Sequence, residues 1–484
     1  MHRRWGYSPI GVVILGCMIF ACSPQKPPAD IPITTASEEA RQIYLQGRDK
    51  LENQELDKAA TLFDQAIQKD PKFALAYIYR SRSGGGSGVA LENRNKAVGL
   101  IGSVTPGEQL LIEYLVAQTN QQIGQSKQCL DSLLVAFPMD KRVQMMAGLY
   151  YRALGDLKTA VKYYDKAVAL DSTYAPAYNM SGYDNTSLGK PEAAEKAFKT
   201  YMRLLPTLAN PVDSYAEFLR LQGRYDESIA QYKKVLAMDP SFTSSISGIG
   251  DCYLCRGDGK QAREYYREFI GKAPQINEKL AGYYSLGATY VQEGNIPEAL
   301  KTLEERRKLA LAQNQNAAAV NSVAYEGHLL SALGNPQEGL KKYNEAIALA
   351  KTASMPERTR ENLKFWSNYW LAYAHTQAKS MQKAKEFLAA FSKDVERRGN
   401  PGEPDAVKSA QGYIAVIEGR YDEGIRQLTS IPDDPFNEYA LTRAYMKKGD
   451  KENAGKALAK LRRWETVTLD NAVGLRLATA LVKK

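Results

Sequence analysis

Residues 148–181 read GLYYRALGDLKTAVKYYDKAVALDSTYAPAYNMS, and the residues after them repeat the same pattern of small, large and turn-forming positions. The clearest mark of the pattern is a glycine that recurs with a constant period of 34, at Gly155, Gly189, Gly223 and Gly257. A fixed period of this length is typical of proteins that stack one supersecondary unit many times. A chain of 484 residues would also allow three ordinary globular domains, but the period predicts one repeat array.

Three further positions keep a fixed distance from each glycine. A small residue stands seven positions before it, another stands five positions after it, and an aromatic residue stands nine positions after it. In chain order these sets are Gly148, Gly182, Ala216 and Gly250; Ala160, Ala194, Ser228 and Ala262; and Tyr164, Phe198, Tyr232 and Tyr266. Small residues let two antiparallel helices approach, aromatic rings fill the space between them, and glycine turns the corner. The pattern predicts a hairpin of two helices in every period.

The same register resembles the tetratricopeptide repeat. A nearly complete earlier copy, GRDKLENQELDKAATLFDQAIQKDP, occupies residues 47–71, and a looser hairpin signature returns around Gly294, Gly334 and Gly419. The resemblance implies an all-α fold, a right-handed superhelical solenoid of about ten to eleven helix-turn-helix repeats that runs from Ser37 to the end of the chain. The first helix of each hairpin would line the concave side of this solenoid.

We expect four regions along the chain. Residues 1–21 are predicted to be a lipoprotein signal peptide, and residues 22–36 a flexible, proline-rich tether. Residues 37–275 would hold the regular array, and residues 276–484 longer and more divergent repeats.

A glycine-rich run, SGGGSG at residues 83–88, interrupts the regular array. Each glycine costs a helix interior about 1 kcal/mol relative to alanine, so we expect a break or flexible corner there. We expect the helix to restart at Thr105-Pro106-Gly107-Glu108. In that sequence threonine can cap, proline suits the first turn, and glutamate can reach back to the cap.

The N-terminus has the features of an export signal. Arg3 and Arg4 precede an uncharged apolar run at residues 10–20, which is too short to span a membrane. The end of this run, up to Cys22, resembles the lipobox of bacterial lipoproteins, so we predict that Cys22 is lipidated. Cys17 is a rival acceptor that would leave a very short apolar run. By the same resemblance, the serine after Cys22 indicates the outer membrane, and we expect the protein to face the periplasm.

Charge and motifs argue against several classes of function. The chain has 64 Lys and Arg against 54 Asp and Glu, interspersed, and no basic cluster alternates with aromatic residues as in single-strand nucleic acid binders. The sequence has no nucleophile elbow, phosphate loop or zinc signature, so we expect no enzymatic activity, cofactor, metal or nucleic acid partner. Cys252 and Cys255 have the spacing of a redox or zinc motif. We interpret them as small residues of a packed helix, with a local disulfide as the alternative.

The expected recognition surface follows from the resemblance. In tetratricopeptide repeats, groove positions lie on the first helix of each hairpin, off the stripe that packs the hairpin. Aromatic residues occupy these positions in the late repeats, and FWSNYWLAY at residues 365–373 is the densest aromatic run. Aromatic residues dominate interface hot spots, although each of these rings is also a candidate for the core. The predicted partner-binding residues are Tyr284, Tyr325, His328, Tyr369, Trp370, Tyr373 and Tyr413.

Two functions from different classes fit these features. The first is a membrane-anchored scaffold that binds peptides or subunits of an envelope assembly through its concave face. The second is a glycan- or nutrient-binding outer-membrane lipoprotein built on helical repeats. The carboxylate clamp of chaperone-binding family members is absent, since Asn179 and Tyr183 stand where it needs lysine and asparagine. Because few insertions interrupt the repeats, we favour the scaffold with a protein or peptide partner.

Overall fold

The computed structural model describes residues 30–400, 402–432, 434–462 and 468–482. Within these ranges the chain forms 25 α-helices, one short 3-10 helix at Ile101–Ser103, and no β-strand. Consecutive helices pack against each other along the chain, so the predicted all-α fold of helical repeats is confirmed. None of the described helices has both the length and the apolar composition that a membrane span requires.

The chain divides into two compact units, Met1–Met180 and Ser181–Lys484. The helices of the first unit are α1 (Glu38–Glu52), α2 (Leu56–Lys69), α3 (Ala74–Arg80), α4 (Gly86–Gly99), α5 (Pro106–Thr119), α6 (Ile123–Ala136), α7 (Lys141–Ala153) and α8 (Leu157–Leu170). Helix α9 (Ala175–Ser187) begins in the first unit and ends in the second. The boundary that we expected at residue 275, from the length of the repeats, stays a prediction.

The second unit contains the remaining helices. They are α10 (Pro191–Leu204), α11 (Ala209–Leu221), α12 (Tyr225–Met238), α13 (Ser244–Cys255), α14 (Gly259–Lys272), α15 (Ile276–Glu293), α16 (Ile296–Ala312), α17 (Asn316–Leu333), α18 (Pro336–Thr352), α19 (Glu357–Gln377), α20 (Met381–Arg398), α21 (Glu403–Ile417), α22 (Tyr421–Leu428), α23 (Pro435–Lys448), α24 (Lys451–Arg462) and α25 (Leu469–Val482).

The contacts inside the hairpins show why small residues and large rings recur together. A methyl group at Gly182 would lie 2.7 Å from the ring of Phe198, and one at Gly250 would lie 2.7 Å from the ring of Tyr266. The four corner glycines have φ between +69° and +85°, a backbone conformation that residues with a Cβ rarely adopt. The missing side chains therefore let each pair of helices approach until an aromatic ring fills the gap.

One repeat shows how the pattern accommodates polar atoms. Ser228 stands where neighbouring hairpins have alanine; it is fully buried, and its hydroxyl donates to the carbonyl oxygen of Ala216 at 2.7 Å. The thiol of Cys252 lies 3.3 Å from that hydroxyl. Burial raises the pKa of Cys252 to about 12 and that of Cys255 to about 11, and both are free thiols on α13. They pack the hairpin, and a thiol with so high a pKa is a weak nucleophile at neutral pH.

The glycine-rich run breaks the helix where the sequence predicts, but the next helix begins earlier than expected. Helix α3 ends at Arg80, whose guanidinium donates to the carbonyl oxygen of Gly84 at 2.9 Å. Helix α4 begins at Gly86, so the expectation that the helix restarts only at Thr105 is wrong. Three consecutive residues with positive φ are enough to redirect the chain. The predicted cap is present, because Thr105 and Glu108 form a capping box at the start of α5.

The last part of the expected tether is held against the first unit. Residues 31–36 are not helical, and carboxylates at the starts of α5 and α7 accept hydrogen bonds from them. The amide of Ile31 donates to Asp140 at 3.0 Å, and the amide of Thr34 donates to Glu108 at 2.7 Å. These contacts correct the prediction of a flexible tether for this stretch. The rest of the predicted tether, apart from residue 30, lies outside the described residues.

Helix length and contacts change along the second unit. Helices α10 to α14 have 12–14 residues, α15 to α20 have 17–21, and α21 to α25 have 8–15. Odd-numbered helices also contact one another, as α17 does α19, α19 does α21, and α21 does α23. We call the face that these odd-numbered helices share the inner face.

Helix α25 returns from the end of the chain to the middle of the second unit. It packs against α23 and also against α15 and α17, which come much earlier in the chain. Leu469 and Val473 of α25 are buried in one cluster with Leu286 and Val291 of α15. Helix α25 therefore completes the inner face.

Candidate functional site

The residues predicted to bind a partner all lie on odd-numbered helices of the second unit. Five of them line one cavity of about 630 Å³: Tyr325 and His328 on α17, and Tyr369, Trp370 and Tyr373 on α19. The other two, Tyr284 on α15 and Tyr413 on α21, do not line this cavity. The structure therefore brings most of the predicted set together at a single place.

Three further aromatic rings complete the lining, and sequence reasoning did not place them in the site. They are Tyr343 on α18, Trp366 on α19 and Phe436 on α23. Trp366 belongs to the aromatic run that the sequence showed, but its register put it off the groove positions. Phe436 comes from a hairpin much further along the chain, and no local pattern connects it to the others.

Tyr373 is the centre of the ring contacts. Its ring centroid lies 5.0 Å from that of His328, 5.2 Å from that of Tyr413 and 5.5 Å from that of Phe436. Tyr413 is only 5% exposed. Aromatic pairs at such separations stabilise each other by about 0.5–1.5 kcal/mol beyond simple burial. Tyr413 therefore packs behind the cavity wall, whereas Tyr373 lines the cavity and also packs against the neighbouring rings.

Three other rings of α19, those of Trp366, Tyr369 and Trp370, are partly exposed and contact neighbouring rings. Trp370 stacks on Tyr343 with centroids 6.1 Å apart, and Trp366 meets Tyr369 edge to face at 5.9 Å. Because the rings hold each other in place, their flat faces are fixed before any ligand arrives. Such preorganisation lowers the entropy that binding would otherwise lose.

Tyr284 acts as a second layer behind Tyr325. The two ring centroids lie 4.8 Å apart, and the guanidinium carbon of Arg306 lies 3.8 Å from the ring centroid of Tyr284. Arg306 is buried and donates to two main-chain carbonyl oxygens and to the hydroxyl of Ser322. The position of Tyr284 thus makes it a support for the cavity wall.

His328 is an uncharged part of the wall. Its side chain is 9% exposed, and burial lowers its pKa to about 4. Its Nδ1 lies 3.4 Å from the hydroxyl of Tyr343, whereas its Nε2 has no hydrogen-bond partner among the described residues. At neutral pH, one nitrogen of this imidazole therefore remains available for a hydrogen bond.

Three carboxylates line the cavity, and the sequence reasoning missed them all. Asp405 lies in the first turn of α21, Asp434 is the N-cap of α23, and Asp470 lies in the first turn of α25. Burial raises the pKa of Asp434. Burial, together with the nearby charge of Asp434, raises the pKa of Asp470 to about 7, and a hydrogen bond with Tyr325 opposes this shift.

This lining has the chemistry of a binding site. The cavity is lined by aromatic rings and carboxylates together with the amides of Asn321 and Asn437 and the hydroxyl of Ser409. Within the described ranges, no three side chains of the metal-ligating types are arranged to hold a metal ion. The arrangement can recognise a ligand by stacking, hydrogen bonding and charge.

A model of the tetratricopeptide repeat family matches the chain at residues 44–83, 115–175 and 214–276. The chain contains tetratricopeptide repeats in these three segments. The cavity lies beyond the last matched tetratricopeptide repeat, because its lining residues fall between Asn321 and Asp470. The candidate site is therefore built by hairpins that the family model does not match.

Curated relatives match parts of this tetratricopeptide repeat chain. Superkiller complex protein 3 of Mus musculus is 29% identical over 138 residues, which cover 28% of this chain and 9% of that protein. Anaphase-promoting complex subunit 7 of Arabidopsis thaliana is 26% identical over 219 residues, 43% of this chain and 38% of that protein. A probable UDP-N-acetylglucosamine–peptide N-acetylglucosaminyltransferase, SPINDLY of Hordeum vulgare, is 24% identical over 134 residues, 28% of this chain and 14% of that protein. The chain spans well under half the length of each of these relatives.

Solved structures of tetratricopeptide repeat proteins also resemble the chain. The crystal structure of one from Parabacteroides merdae is 14% identical and aligns with a TM-score of 0.34, covering 68% of this chain and 99% of that one.

Proposed function

We propose that this tetratricopeptide repeat protein is a membrane-anchored interaction scaffold that holds a protein or peptide partner in the inner-face cavity. The observation that carries the proposal is the cavity itself, with a volume of about 630 Å³ and seven aromatic side chains in its lining. A volume in this range is typical of specific ligand sites. Trp and Tyr, which supply six of these rings, are among the side chains on which protein interfaces depend most strongly.

Two features support a protein partner in particular. Most of the helices that line the cavity are the odd-numbered ones of the inner face, and these helices also contact one another, so an extended peptide could make further contacts along them. Two of the curated relatives are named as a complex protein and a complex subunit. We therefore propose that the present chain also takes part in a protein assembly, and that this assembly is located at the cell envelope.

We also propose that the chain is not an enzyme. The imidazole that lines the cavity is buried and contacts aromatic rings, with no carboxylate paired to it among the described residues. The pKa values of Cys252 and Cys255 are raised, whereas catalytic thiols have lowered pKa values, so both thiols are weak nucleophiles at neutral pH. The relative named as a transferase is matched over only 14% of its length.

The membrane anchor is proposed on the sequence alone, because Cys22 lies outside the described residues. We expect Cys22 to be lipidated and the protein to be held at the outer membrane, facing the periplasm. The variant Cys22→Ala should then leave the membrane fraction on cell fractionation, and labelling with an azido fatty acid should disappear. The matched variant Cys17→Ala should keep both properties. If Cys17→Ala releases the chain and Cys22→Ala does not, the anchor is at the other cysteine.

Crosslinking in the native cell tests the partner proposal. A photoreactive phenylalanine analogue at Trp366, which lines the cavity, should crosslink to a protein that mass spectrometry can identify. The same analogue at Leu311, which is 44% exposed and lies outside the cavity, is the matched control. An equal pattern of crosslinked proteins from the two positions would remove the support for a partner in the cavity.

A glycan-binding function is the second candidate, and one observation favours it. Amide and hydroxyl groups line the cavity with the rings, and the hydroxyl of Ser409 donates to the amide oxygen of Asn437 at 2.6 Å. Rings and amides together also suit the faces and hydroxyls of a sugar. An oligosaccharide that copurifies with the protein and is lost in Trp366→Ala would favour this function over the scaffold.

A further inference from the structure

The cavity has a charge as well as an aromatic surface. Three aspartates line it, and no lysine or arginine is among the described residues of its lining. The imidazole of His328 adds no positive charge, because burial holds it in the neutral form at physiological pH. The described lining therefore carries only negative charge, in a chain whose composition is net basic.

Two of the carboxylates meet in one corner of the cavity. The charges of Asp434 and Asp470 both act on the hydroxyl of Tyr369, and both raise its pKa, in addition to the effect of its burial. The hydroxyl of Tyr325 interacts with Asp470. Two acids and two phenols therefore come together in this corner. The acids lie at the starts of α23 and α25, and the phenols lie on α17 and α19.

Neither carboxylate of this corner is neutralised by a cation within the described residues. Asp434 accepts main-chain amides in the manner of a helix cap, that of Phe436 at 2.9 Å, and no described lysine or arginine forms an ion pair with Asp434 or Asp470. Arg306 is a buried cation behind the wall, but neutral oxygens accept its hydrogen bonds. Placing two carboxylates together without a cation costs free energy, because burial and mutual repulsion both oppose their ionisation.

We infer that this cavity binds a cationic side chain of the protein partner, an arginine, with its guanidinium between Asp434 and Asp470 and its stem along the rings of α19. The inference rests on the proposed function, in which the partner is a protein. A guanidinium has five donors in one plane, which suits two carboxylates and the phenol oxygens of Tyr325 and Tyr369. Its flat face stacks on Trp or Tyr, and the attraction is strongest where water is excluded.

A pair of short peptides tests the inference on the intact protein. The probes are acetyl-Gly-Arg-Gly-amide and the same peptide with citrulline, which has the shape of arginine without its charge. Binding is followed by saturation-transfer NMR and by isothermal titration calorimetry. We expect saturable binding of the arginine peptide and binding at least about tenfold weaker for the citrulline peptide, because a close charge pair is lost.

Three variants locate the binding. Asp470→Asn and Asp434→Asn keep the size of each side chain, and asparagine is also a good helix cap, so both variants should fold. Each variant should bind the arginine peptide at least about tenfold more weakly than the parent protein does. The affinity for the citrulline peptide should stay nearly unchanged. The control Asp422→Asn removes an 87% exposed carboxylate of α22 that pairs with Lys448, outside the cavity, and should change neither affinity. Melting curves check that all three variants are folded.

The outcomes separate this inference from the proposed function. Equal affinity for the two peptides, unchanged affinity in both cavity variants, or no saturable binding of the arginine peptide up to about 10 mM would each overturn the arginine site. The crosslinking experiment at Trp366 does not depend on charge. A protein partner captured there, together with equal peptide affinities, would leave the scaffold in place and reject only the arginine site. A glycan in place of a protein would reject both.

Discussion

Two parts of the second unit treat the polar groups of their inner face in different ways. In residues 181–274, where the period of 34 is strict, two acids accept hydrogen bonds from a neighbouring repeat. The hydroxyl of Ser245 donates to Asp213 at 2.6 Å, and the hydroxyl of Tyr183 donates to Glu217 at 2.9 Å. Each pair connects one repeat to another. The regular repeats therefore use their polar inner-face groups to hold themselves together.

In residues 276–482 the equivalent groups face a cavity. Asp434 and Asp470 have no ion-pair partner among the described residues, and Nε2 of His328 has no hydrogen-bond partner there. The helices α15 to α20 are longer by about one turn, and their inner-face positions hold rings. The comparison teaches that the strict register serves stability, and that the unsatisfied groups needed for binding occur where the register is relaxed.

The largest effect is expected from breaking the contact that closes the relaxed part. Leu469 is 1% exposed and joins α25 to α15, so Leu469→Ala should lower the free energy of unfolding by about 2–5 kcal/mol. Chemical denaturation measures this change. The control Leu311→Ala, at a side chain that is 44% exposed, should change it by less than about 0.5 kcal/mol. Similar losses in the two variants would mean that α25 does not hold the cavity together.

A smaller effect is expected from a single methyl group in the strict part. Gly250→Ala would place a Cβ 2.7 Å from the fully buried ring of Tyr266, so the hairpin must open and the free energy of unfolding should fall by about 1–3 kcal/mol. The matched variant Gly455→Ala lies in the exposed middle of α24 with open space around it, and should raise stability by up to about 1 kcal/mol. If Gly250→Ala is also neutral or stabilising, the close approach of the two helices does not explain why a small residue recurs at this position of the repeat.

The same contrast explains what the sequence could predict. The hairpin contacts are local and periodic, because Gly250 and Tyr266 lie on the two helices of one hairpin and their spacing recurs in the other repeats. The rings of the late inner face could be found because they keep a register position relative to the hairpin. For both, a short stretch of sequence contains all the information.

The other half of the site depends on contacts between distant parts of the chain. Asp470 lines the cavity only because α25 packs on α15 and α17, and nothing in the residues around it signals that return. Asp434 could have been recognised as a helix cap before Pro435, but not as part of a cavity. The hydrogen bond from Ile31 to Asp140 escaped prediction for the same reason, since 109 residues separate the two.

Removing two aromatic rings of the cavity wall should weaken binding, and this tests whether the late inner face is a recognition surface. Trp370→Ala combined with Tyr373→Ala should weaken partner binding by at least about tenfold while the helical signal in circular dichroism stays nearly unchanged. Both rings are partly exposed in the cavity and also contact neighbouring rings, so the melting temperature should fall moderately. Tyr413→Phe, behind the wall, should keep the binding. If binding returns in full when the double variant is measured well below its melting temperature, the rings are core and not a recognition surface.

The smallest expected effect concerns pH, and its sign differs for folding and binding. The ordinary pKa of aspartate is 3.8, and burial together with the charge of Asp434 raises the pKa of Asp470 to about 7. The folded chain therefore holds a proton that the unfolded chain releases, so the contribution of Asp470 to the free energy of unfolding falls as the pH rises from 4 to 7. Asp470→Asn removes this dependence, and the variant should gain stability relative to the parent protein over that interval.

Binding of the arginine peptide should show the opposite trend, because only the ionised form of Asp470 attracts a cation. Between pH 6 and pH 8 its ionised fraction, and with it the affinity, should rise by up to about tenfold. Over this range His328 stays neutral and Tyr325 stays protonated, and burial raises the pKa of Asp434 as well as that of Asp470. Measuring the dissociation constant in Asp434→Asn and Asp470→Asn separates the two acids. If the dissociation constant of the parent protein does not change with pH, the charge of Asp470 does not contribute to binding. The contrast between the late and the early inner face would then be lost.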